Sequence, residues 1–349
     1  MNFASDNWAG AHPAVAASLS AHASGFAAAY GASDLDRAVA DKFNAIFDRE
    51  VAVFFVGTGT AANSLAMASV NRPGGVAFCH REAHMVEDEC GAPEYFTGGA
   101  RLCPVDGVLG RIDPAKLEQA IDHYPAEFVH SGQPMAVSIT QATEVGTIYG
   151  LNDIAAVSAV ARRAGLPLHM DGARFANALI ALGTTPAEMS WKRGVDILSF
   201  GGTKNGCWCA EAVVLFDLDR AKEFAFIRKR AAQLFSKSRF IAAQLAAYLD
   251  GDLWLDSARH ANAMTARLAD RIRASKKVRL AWEPEANELF AVMTKDTVDV
   301  LKAKGAVFYP WKKPHGYAGA IGENETLCRF VTSFATSFEE VDRFGDLVA

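Results

Sequence analysis

The segment at residues 57–63, with the sequence GTGTAAN, has the composition of an anion-binding turn. It follows an apolar run and opens an amphipathic one, so its backbone N–H groups and the positive end of a helix dipole would face a bound phosphate. The hydroxyls of Thr58 and Thr60 add donors. No Gly-Lys-Ser/Thr follows and position 62 is Ala, which excludes a Walker A loop and a complete dinucleotide fingerprint. An ordinary turn capped by Thr58 is the alternative.

Two further polar segments follow apolar runs and carry an acid and a lysine. Asp171 comes directly after residues 168–170 and precedes Gly-Ala-Arg. A carboxylate at that place can face a cationic ring nitrogen, although a salt bridge or a helix cap is the better explanation for Asp171 when it is taken alone. Lys204 lies in GGTKNG at residues 201–206. A partly buried lysine of lowered pKa is a Schiff-base nucleophile, and the alternative is a solvent-facing loop lysine.

These segments need a scaffold that brings the ends of several strands together. Apolar runs alternate with amphipathic stretches, which is typical of βα units, and continuous apolar strands fit a parallel sheet with helices on both faces. Strands are predicted at residues 51–56, 76–79, 135–140, 167–170, 195–200 and 212–216, with helices at 61–70 and 151–164. Ligands of such sheets bind at the carboxyl ends of the strands, which is where all three segments lie.

The pattern changes from about residue 221, where longer helical stretches replace the alternation. Helices are predicted over residues 235–249, 254–274 and 338–348, and short strands over 289–293, 307–309 and 328–332. We therefore expect an N-terminal arm at residues 1–24, a large α/β domain at 25–245 and a smaller C-terminal α+β domain at 246–349.

Composition sets the outer limits of function. The 349 residues are 50% hydrophobic, which is ordinary for a globular protein and excludes intrinsic disorder. Lys and Arg number 35 and Asp and Glu number 40, so the net charge of −5 gives no sign of binding to nucleic acid or to a membrane surface. No secretory signal and no membrane-spanning run is visible, and the six cysteines form no C-x-x-C pair. We expect a cytoplasmic protein with free thiols and no metal site.

Taken in order, the three segments resemble those of pyridoxal phosphate enzymes of fold type I. More closely, the chain resembles the threonine aldolase family, also called the aromatic amino acid beta-eliminating lyase/threonine aldolase family. The resemblance covers nearly the whole chain. Its motifs are ASDN at 4–7, GTGTAAN at 57–63, AH at 83–84 with ECG at 89–91, QAT at 141–143, HMDGAR at 169–174, GGTKNG at 201–206 and RFVT at 329–332. HMDGAR and GGTKNG are the specific ones.

The resemblance implies pyridoxal 5′-phosphate as the cofactor and a mainly parallel seven-stranded sheet. Lys204 would bind the cofactor aldehyde, and Asp171 would keep the pyridine nitrogen protonated. His84 would stack on the ring, and it is our first candidate for the base that takes the proton from a substrate hydroxyl. The phosphate would be held by Thr58, Gly59 and Thr60.

The resemblance also assigns residues to the substrate. Ser5, Arg174 and Arg329 match the residues that hold the substrate carboxylate in the family, and Arg174 is counted toward the cofactor site as well. A guanidinium suits this role because its fork meets a carboxylate with two parallel hydrogen bonds. The alternative for Arg329, a surface ion pair, is weakened by its place within an apolar strand. Thr143 matches a family threonine near the cofactor and substrate.

The implied activity is that of an aldehyde-lyase. L-Threonine, L-allo-threonine and related L-β-hydroxy-α-amino acids, with phenylserine as a further candidate, would be cleaved between Cα and Cβ to glycine and an aldehyde. The family also implies a homotetramer built from dimers with shared active sites and an N-terminal arm that contributes to the active site. Alternatives are another fold type I lyase, a racemase or an aminotransferase, and, from a different class, a nucleotide-binding or nonenzymatic protein.

One departure from the family pattern concerns the residue after Thr143. Many members carry a histidine where this chain has Glu144, so we expect low specificity toward β-stereochemistry with the L configuration at Cα. A second hypothesis concerns Gln233, Lys237 and Arg239, which lie where fold type I enzymes often reach the phosphate of a neighbouring subunit. An exposed basic helix face is an equal alternative for them.

Overall fold

A computed structural model describes residues 1–125 and 127–349. Its strands are β1 (Ala52–Val56), β2 (Gly75–His80), β3 (Arg101–Val105), β4 (Gly107–Val108), β5 (Arg111–Ile112), β6 (Gln133–Thr140), β7 (Leu168–Gly172), β8 (Ile197–Gly201), β9 (Glu211–Leu215), β10 (Val278–Leu280), β11 (Glu288–Thr294), β12 (Tyr309–Trp311) and β13 (Glu325–Val331). Its helices are α1 (Pro13–Ala21), α2 (Asp34–Phe47), α3 (Gly59–Ser69), α4 (His84–Glu87), α5 (Ala92–Phe96), α6 (Pro114–Asp122), α7 (Leu151–Arg163), α8 (Phe175–Leu182), α9 (Pro186–Met189), α10 (Ala221–Arg230), α11 (Arg239–Tyr248), α12 (Leu253–Arg273), α13 (Lys295–Ala303) and α14 (Phe338–Val348). Short 3₁₀ turns occur at Asp6–Trp8, Trp191–Arg193, Thr203–Asn205 and Leu218–Arg220.

The large sheet has seven strands in the order β1-β9-β8-β7-β6-β2-β3. Neighbouring strands from β8 through β7, β6 and β2 to β3 are parallel, whereas β9 is antiparallel to both of its neighbours. Strands β2, β7, β8 and β9 are buried along their whole length. The sequence prediction of a mainly parallel sheet covered on both faces is therefore confirmed.

Helix α2 shows how the local sequence determines where a helix begins and which of its faces packs against the large sheet. Ser33 accepts a hydrogen bond from the backbone N–H of Asp36, whose carboxylate accepts one from the Ser33 N–H, so the helix starts with a capping box. Val39, Phe43 and Phe47 recur four residues apart and are completely buried on one face of the helix. The helix therefore packs its apolar stripe against the core of the large sheet.

A second core forms around the antiparallel sheet β10-β11-β13-β12. The first residues of the chain belong to it, because the Phe3 ring packs against Phe330 and Phe344 with centroids 6.1 and 5.5 Å apart. The Val331 N–H donates to the Phe3 carbonyl at 2.9 Å. The chain start is thus held by the C-terminal sheet and places Asp6 near the carboxyl end of β7.

The strand predictions differ from the structure at several places: β3, β4, β5 and β10 were not predicted, and one predicted strand is displaced. The edge strand β3 was missed because only one of its five residues is buried, so it lacks an apolar run. The strand predicted at residues 307–309 is wrong in position, since β12 begins at Tyr309 and Val307 makes only an isolated bridge with Asn2. The domain boundaries stay predictions. No helix among the described residues is long and apolar enough to cross a membrane.

Phe200 supports the strand that leads to Lys204, so its removal tests the core. The side chain is completely buried and its ring lies 5.1 Å from Phe43 and 5.7 Å from Trp254. Phe200→Ala should lower the free energy of unfolding by about 3–5 kcal/mol in urea titrations, because a cavity replaces these contacts. Phe226→Ala, at a side chain 64% exposed, is the control and should change it by less than about 0.5 kcal/mol. Equal losses in both variants would contradict this packing.

Candidate active site

A cavity of about 460 Å³ lies where strands of the large sheet end. Six of the predicted site residues line it: Thr58, Gly59, Thr60, His84, Asp171 and Lys204. They come from segments that follow or end β1, β2, β7 and β8, which are far apart in sequence. The large sheet therefore brings together an anion-binding turn, an imidazole, a carboxylate and an amine.

The anion-binding end of the cavity is the start of helix α3. Thr58 caps the helix by accepting a hydrogen bond from the Ala61 N–H at 3.1 Å, and Gly59 and Thr60 form the first turn. The first N–H groups of a helix have no intrahelical acceptor, so they are available to a phosphate. The Gly57 N–H donates to the Gln233 side chain of the same chain at 3.0 Å.

Asp171 lies in β7, one residue before its end, and its carboxylate is almost completely buried. One oxygen accepts from Nδ2 of Asn63 at 2.8 Å, and the other accepts from the Ala173 N–H at 3.0 Å. Behind it, the imidazole of His169 lies between the hydroxyls of Ser138 and Ser199, each 2.9 Å away. Burial lowers the pKa of His169 to about 4, so this histidine is a neutral structural group.

His84 is tied to Asp171 through two intermediate side chains. Its Nδ1 donates to Glu89 at 2.9 Å, and the same Glu89 oxygen accepts from Nδ2 of Asn63 at 2.8 Å. Asn63 Nδ2 is also the donor to Asp171, so one amide joins both carboxylates. The hydrogen bond to Glu89 raises the pKa of His84 despite partial burial, and Glu144 acts in the same direction. Burial raises the pKa of Glu89.

Lys204 lies in the 3₁₀ turn directly after β8. The turn is fixed by Glu211, which accepts the Gly202 N–H at 2.9 Å, and by Asn205, which donates to the Tyr248 hydroxyl at 2.7 Å. Gly201 is required by close packing, because a Cβ there would lie 2.5 Å from the Ala173 carbonyl oxygen. Burial raises the pKa of Glu211 to about 7. The lysine is therefore presented from a rigid turn.

The two predicted carboxylate-binding arginines lie outside the lining of this cavity. Arg174 is buried and donates from Nε and Nη2 to the two Asp6 oxygens at 2.8 and 3.1 Å. Its Nη2 also lies 3.3 Å from Glu288. Burial alone would raise the pKa of Asp6, but Arg174 and Lys204 outweigh it and hold the pKa below the usual value. The Arg329 guanidinium lies 3.7 Å from a Glu288 carboxylate oxygen and stacks on the ring of Trp311.

Ser5 and Thr143 are also outside the cavity lining. The Ser5 hydroxyl accepts the Asn7 N–H at 3.1 Å, and Asn7 itself does line the cavity. Thr143 is buried and its hydroxyl is 2.8 Å from that of Thr147. The structure thus separates the predicted residues into six on the cavity wall and four behind it or at its edge.

Sequence reasoning gave no role to three acids and amides that build this site. Asn63 and Glu89 lie inside recognised motifs. Their contacts, Asn63 with Asp171 and Glu89 with His84, cannot be predicted from the spacing of residues in the sequence. Glu211 could have been noticed as a carboxylate that opens an otherwise apolar strand. Trp208 and Cys209 also line the cavity and come from the loop between β8 and β9.

The donor set fits pyridoxal phosphate. The start of α3 offers N–H groups and hydroxyls to a phosphate, Asp171 offers a carboxylate to a ring nitrogen, and Lys204 offers an amine to an aldehyde. The imidazole of His84 lines the same cavity. These groups share one cavity, so the residues that would hold the three parts of the cofactor are all present.

Comparisons with known proteins agree with this geometry. The family model described as beta-eliminating lyase matches residues 2–296. A low specificity L-threonine aldolase of Pseudomonas aeruginosa is 40% identical over 339 residues, covering 97% of this chain and 94% of that protein. Another of that name from a Pseudomonas species is 40% identical over 307 residues, 88% of each chain. A solved threonine aldolase structure from Leishmania major has a TM-score of 0.91 and 25% identity, covering 99% of this chain and 98% of the other.

Lys204→Ala tests the assignment of the amine. If Lys204 binds the cofactor aldehyde covalently, the purified variant should lose the visible absorbance that the cofactor–lysine bond gives to the wild type. Lys222→Ala, at an exposed lysine on helix α10, is the matched control and should keep the band. A visible spectrum that is unchanged in Lys204→Ala would show that another amine holds the cofactor.

Proposed function

The chain belongs to the beta-eliminating lyase family, and on that premise we propose that it is a pyridoxal phosphate-dependent aldehyde-lyase with the activity of a low-specificity L-threonine aldolase. It cleaves L-threonine, L-allo-threonine and related L-β-hydroxy-α-amino acids between Cα and Cβ, giving glycine and an aldehyde. The fold is that of the type I pyridoxal phosphate enzymes.

The observation that carries the proposal is the shared cavity of Asp171, Lys204 and the α3 turn. A nucleotide-binding protein with a similar sheet has no use for a lysine fixed beside a carboxylate at neighbouring strand ends. A lyase or racemase that uses the same cofactor needs both groups as well. The two relatives that are 40% identical over most of the chain favour the aldolase.

Each cavity residue has one task in the proposed reaction. Lys204 holds the cofactor by its aldehyde, and the α3 turn with Thr58, Gly59 and Thr60 binds the phosphate. The hydrogen bonds from Asn63 and Ala173 hold the Asp171 carboxylate in one position, where it would meet the ring nitrogen of the cofactor. When bound, the cofactor supplies a sink for the electron pair that is released at Cα.

Arg174, Arg329 and His84 determine which substrate bond breaks. Arg174 and Arg329, with Ser5 at the edge, hold the substrate carboxylate and so orient the Cα–Cβ bond for cleavage. His84 takes the proton from the β-hydroxyl as that bond breaks. Its Nδ1 is held by Glu89, which leaves Nε2 as the atom that accepts the proton, directly or through water. The Thr143 hydroxyl is hydrogen-bonded to that of Thr147 in the loop after β6, and Gly146 of this loop packs on Glu288 beside the two arginines.

A panel of amino acids tests the proposed reaction. L-Threonine, L-allo-threonine and L-phenylserine should each release an aldehyde and glycine, because the residues placed at the site fix the carboxylate and the ring but not one β-configuration. The D isomers are the control and should release none. Aldehyde would be measured by coupled reduction and glycine by chromatography. If no L isomer gave either product although the cofactor band was intact, the aldolase activity would be contradicted. The enzyme would then catalyse another reaction at Cα or Cβ.

We also propose a homotetramer built from dimers. The support is family membership and the exposed segment that leads from α1 to α2, which includes a fully exposed Phe26. Gln233 bonds Gly57 within its own chain, and Arg239 donates to the carbonyls of Ser24 and Gly25, so neither reaches outward in a single chain. Light scattering should give a tetramer, and a monodisperse active monomer would contradict the proposal. A cytoplasmic location is proposed because all six cysteines are free.

A further inference from the structure

Glu288 is a completely buried carboxylate whose two oxygens accept no hydrogen bond from the described residues. It begins β11, with the Arg174 guanidinium 3.3 Å from one oxygen and the Arg329 guanidinium 3.7 Å from the same oxygen. Buried carboxylates are normally hydrogen-bonded, because an unsatisfied one loses its hydration without replacement. Glu288 can therefore remain ionised at this depth only while its two arginines stay close.

The charges around Glu288 are nearly balanced before any substrate enters. Asp6 is already paired with Arg174 through two hydrogen bonds, and Glu144 acts on Glu288 as a further negative neighbour. The groups facing it are thus Arg174 and Arg329, which are positive, and Asp6 and Glu144, which are acidic. An incoming carboxylate would make another acid compete for the same two guanidinium groups.

Glu288 cannot relieve this competition by turning toward solvent. It lies at the start of β11, where its backbone pairs with Val331 of β13. Gly146 packs on its backbone and Cβ so tightly that a Cβ at position 146 would be 2.9 Å from the Cβ of Glu288. The remaining way to lower the local negative charge is to neutralise the Glu288 carboxylate with a proton.

We propose that Glu288 sets the affinity of the site for α-carboxylates by binding a proton when a carboxylate reaches Arg174 and Arg329. This rests on the proposed function, which places the substrate carboxylate on these arginines. Glu288 is thus a positioning residue that acts through the guanidinium groups. In its ionised form Glu288 attracts both guanidinium groups, and in its protonated form it no longer competes with the ligand for them, while Arg174 keeps its two hydrogen bonds to Asp6 in either form.

The direction of the pH effect follows from this competition. Burial already raises the pKa of Glu288 in the free protein, against the opposing effect of Arg174 and Arg329. A bound carboxylate adds negative charge and raises that pKa further. Carboxylate binding is then strongest below the pKa of the free protein, and it weakens as the pH rises through the window between the free and bound values. Protons are taken up on binding within that window.

Calorimetry of the holoenzyme with 3-hydroxybutanoate tests the proposal. This ligand has a carboxylate and a β-hydroxyl but no amine to exchange with Lys204. Titrations from about pH 5 to about pH 9 in two buffers of different ionisation enthalpy give both affinity and proton uptake. The wild type should take up protons on binding and lose affinity by as much as about tenfold per pH unit across the window.

Glu288→Gln should bind without that proton uptake, with an affinity near the low-pH value of the wild type throughout. Glu325→Gln changes a half-buried carboxylate that pairs with Arg279 at the other end of the same small sheet, and it should behave as the wild type does. Equal pH dependence in Glu288→Gln and the wild type, or wild-type binding without proton uptake, would overturn the role of Glu288. No binding by the wild type at any pH would instead overturn the carboxylate site itself and the proposal with it.

Discussion

The hydrogen bond from Asn63 to Asp171 is the contact on which the rest of the site depends. Nδ2 of Asn63 donates at 2.8 Å to Asp171 and at 2.8 Å to Glu89, so helix α3 is tied to the end of β7 and to the loop that follows α4. The same helix begins with the anion-binding turn. One amide therefore fixes the distance between the phosphate end and the carboxylate end of the cavity, and through Glu89 it also orients His84.

A second constraint is that the positive charges of Arg174 and Arg329 are already balanced by nearby carboxylates before a substrate binds. Arg174 is buried with Asp6 and Glu288, and an unpaired guanidinium at that depth would be costly. Because Asp6 comes from the chain start and Glu288 from the small sheet, the cluster joins both of these parts to the large sheet. The mild net charge of −5 does not reveal it, since its acids and bases nearly cancel.

The sequence predicted what depends on local pattern and motif order. The strands that carry Asp171 and precede Lys204 were apparent from apolar runs, and the turn before α3 from its small residues. The pairing of Asn63 with Asp171 could not be predicted from the sequence, because it depends on which strands lie side by side in the sheet. The burial of Glu288 was missed for the same reason: an isolated glutamate before an apolar strand resembles a surface residue until the opposing arginines are placed.

A crystal structure of the holoenzyme with bound glycine would show whether this one cavity positions the ring nitrogen, the aldehyde and the substrate at the same time. In that structure the pyridine nitrogen should lie within about 2.6–3.2 Å of an Asp171 oxygen, with His84 on the ring and the phosphate at the start of α3. The glycine carboxylate should contact Arg329 and Arg174. A cofactor whose ring nitrogen faces another residue, or a glycine carboxylate remote from both arginines, would contradict it.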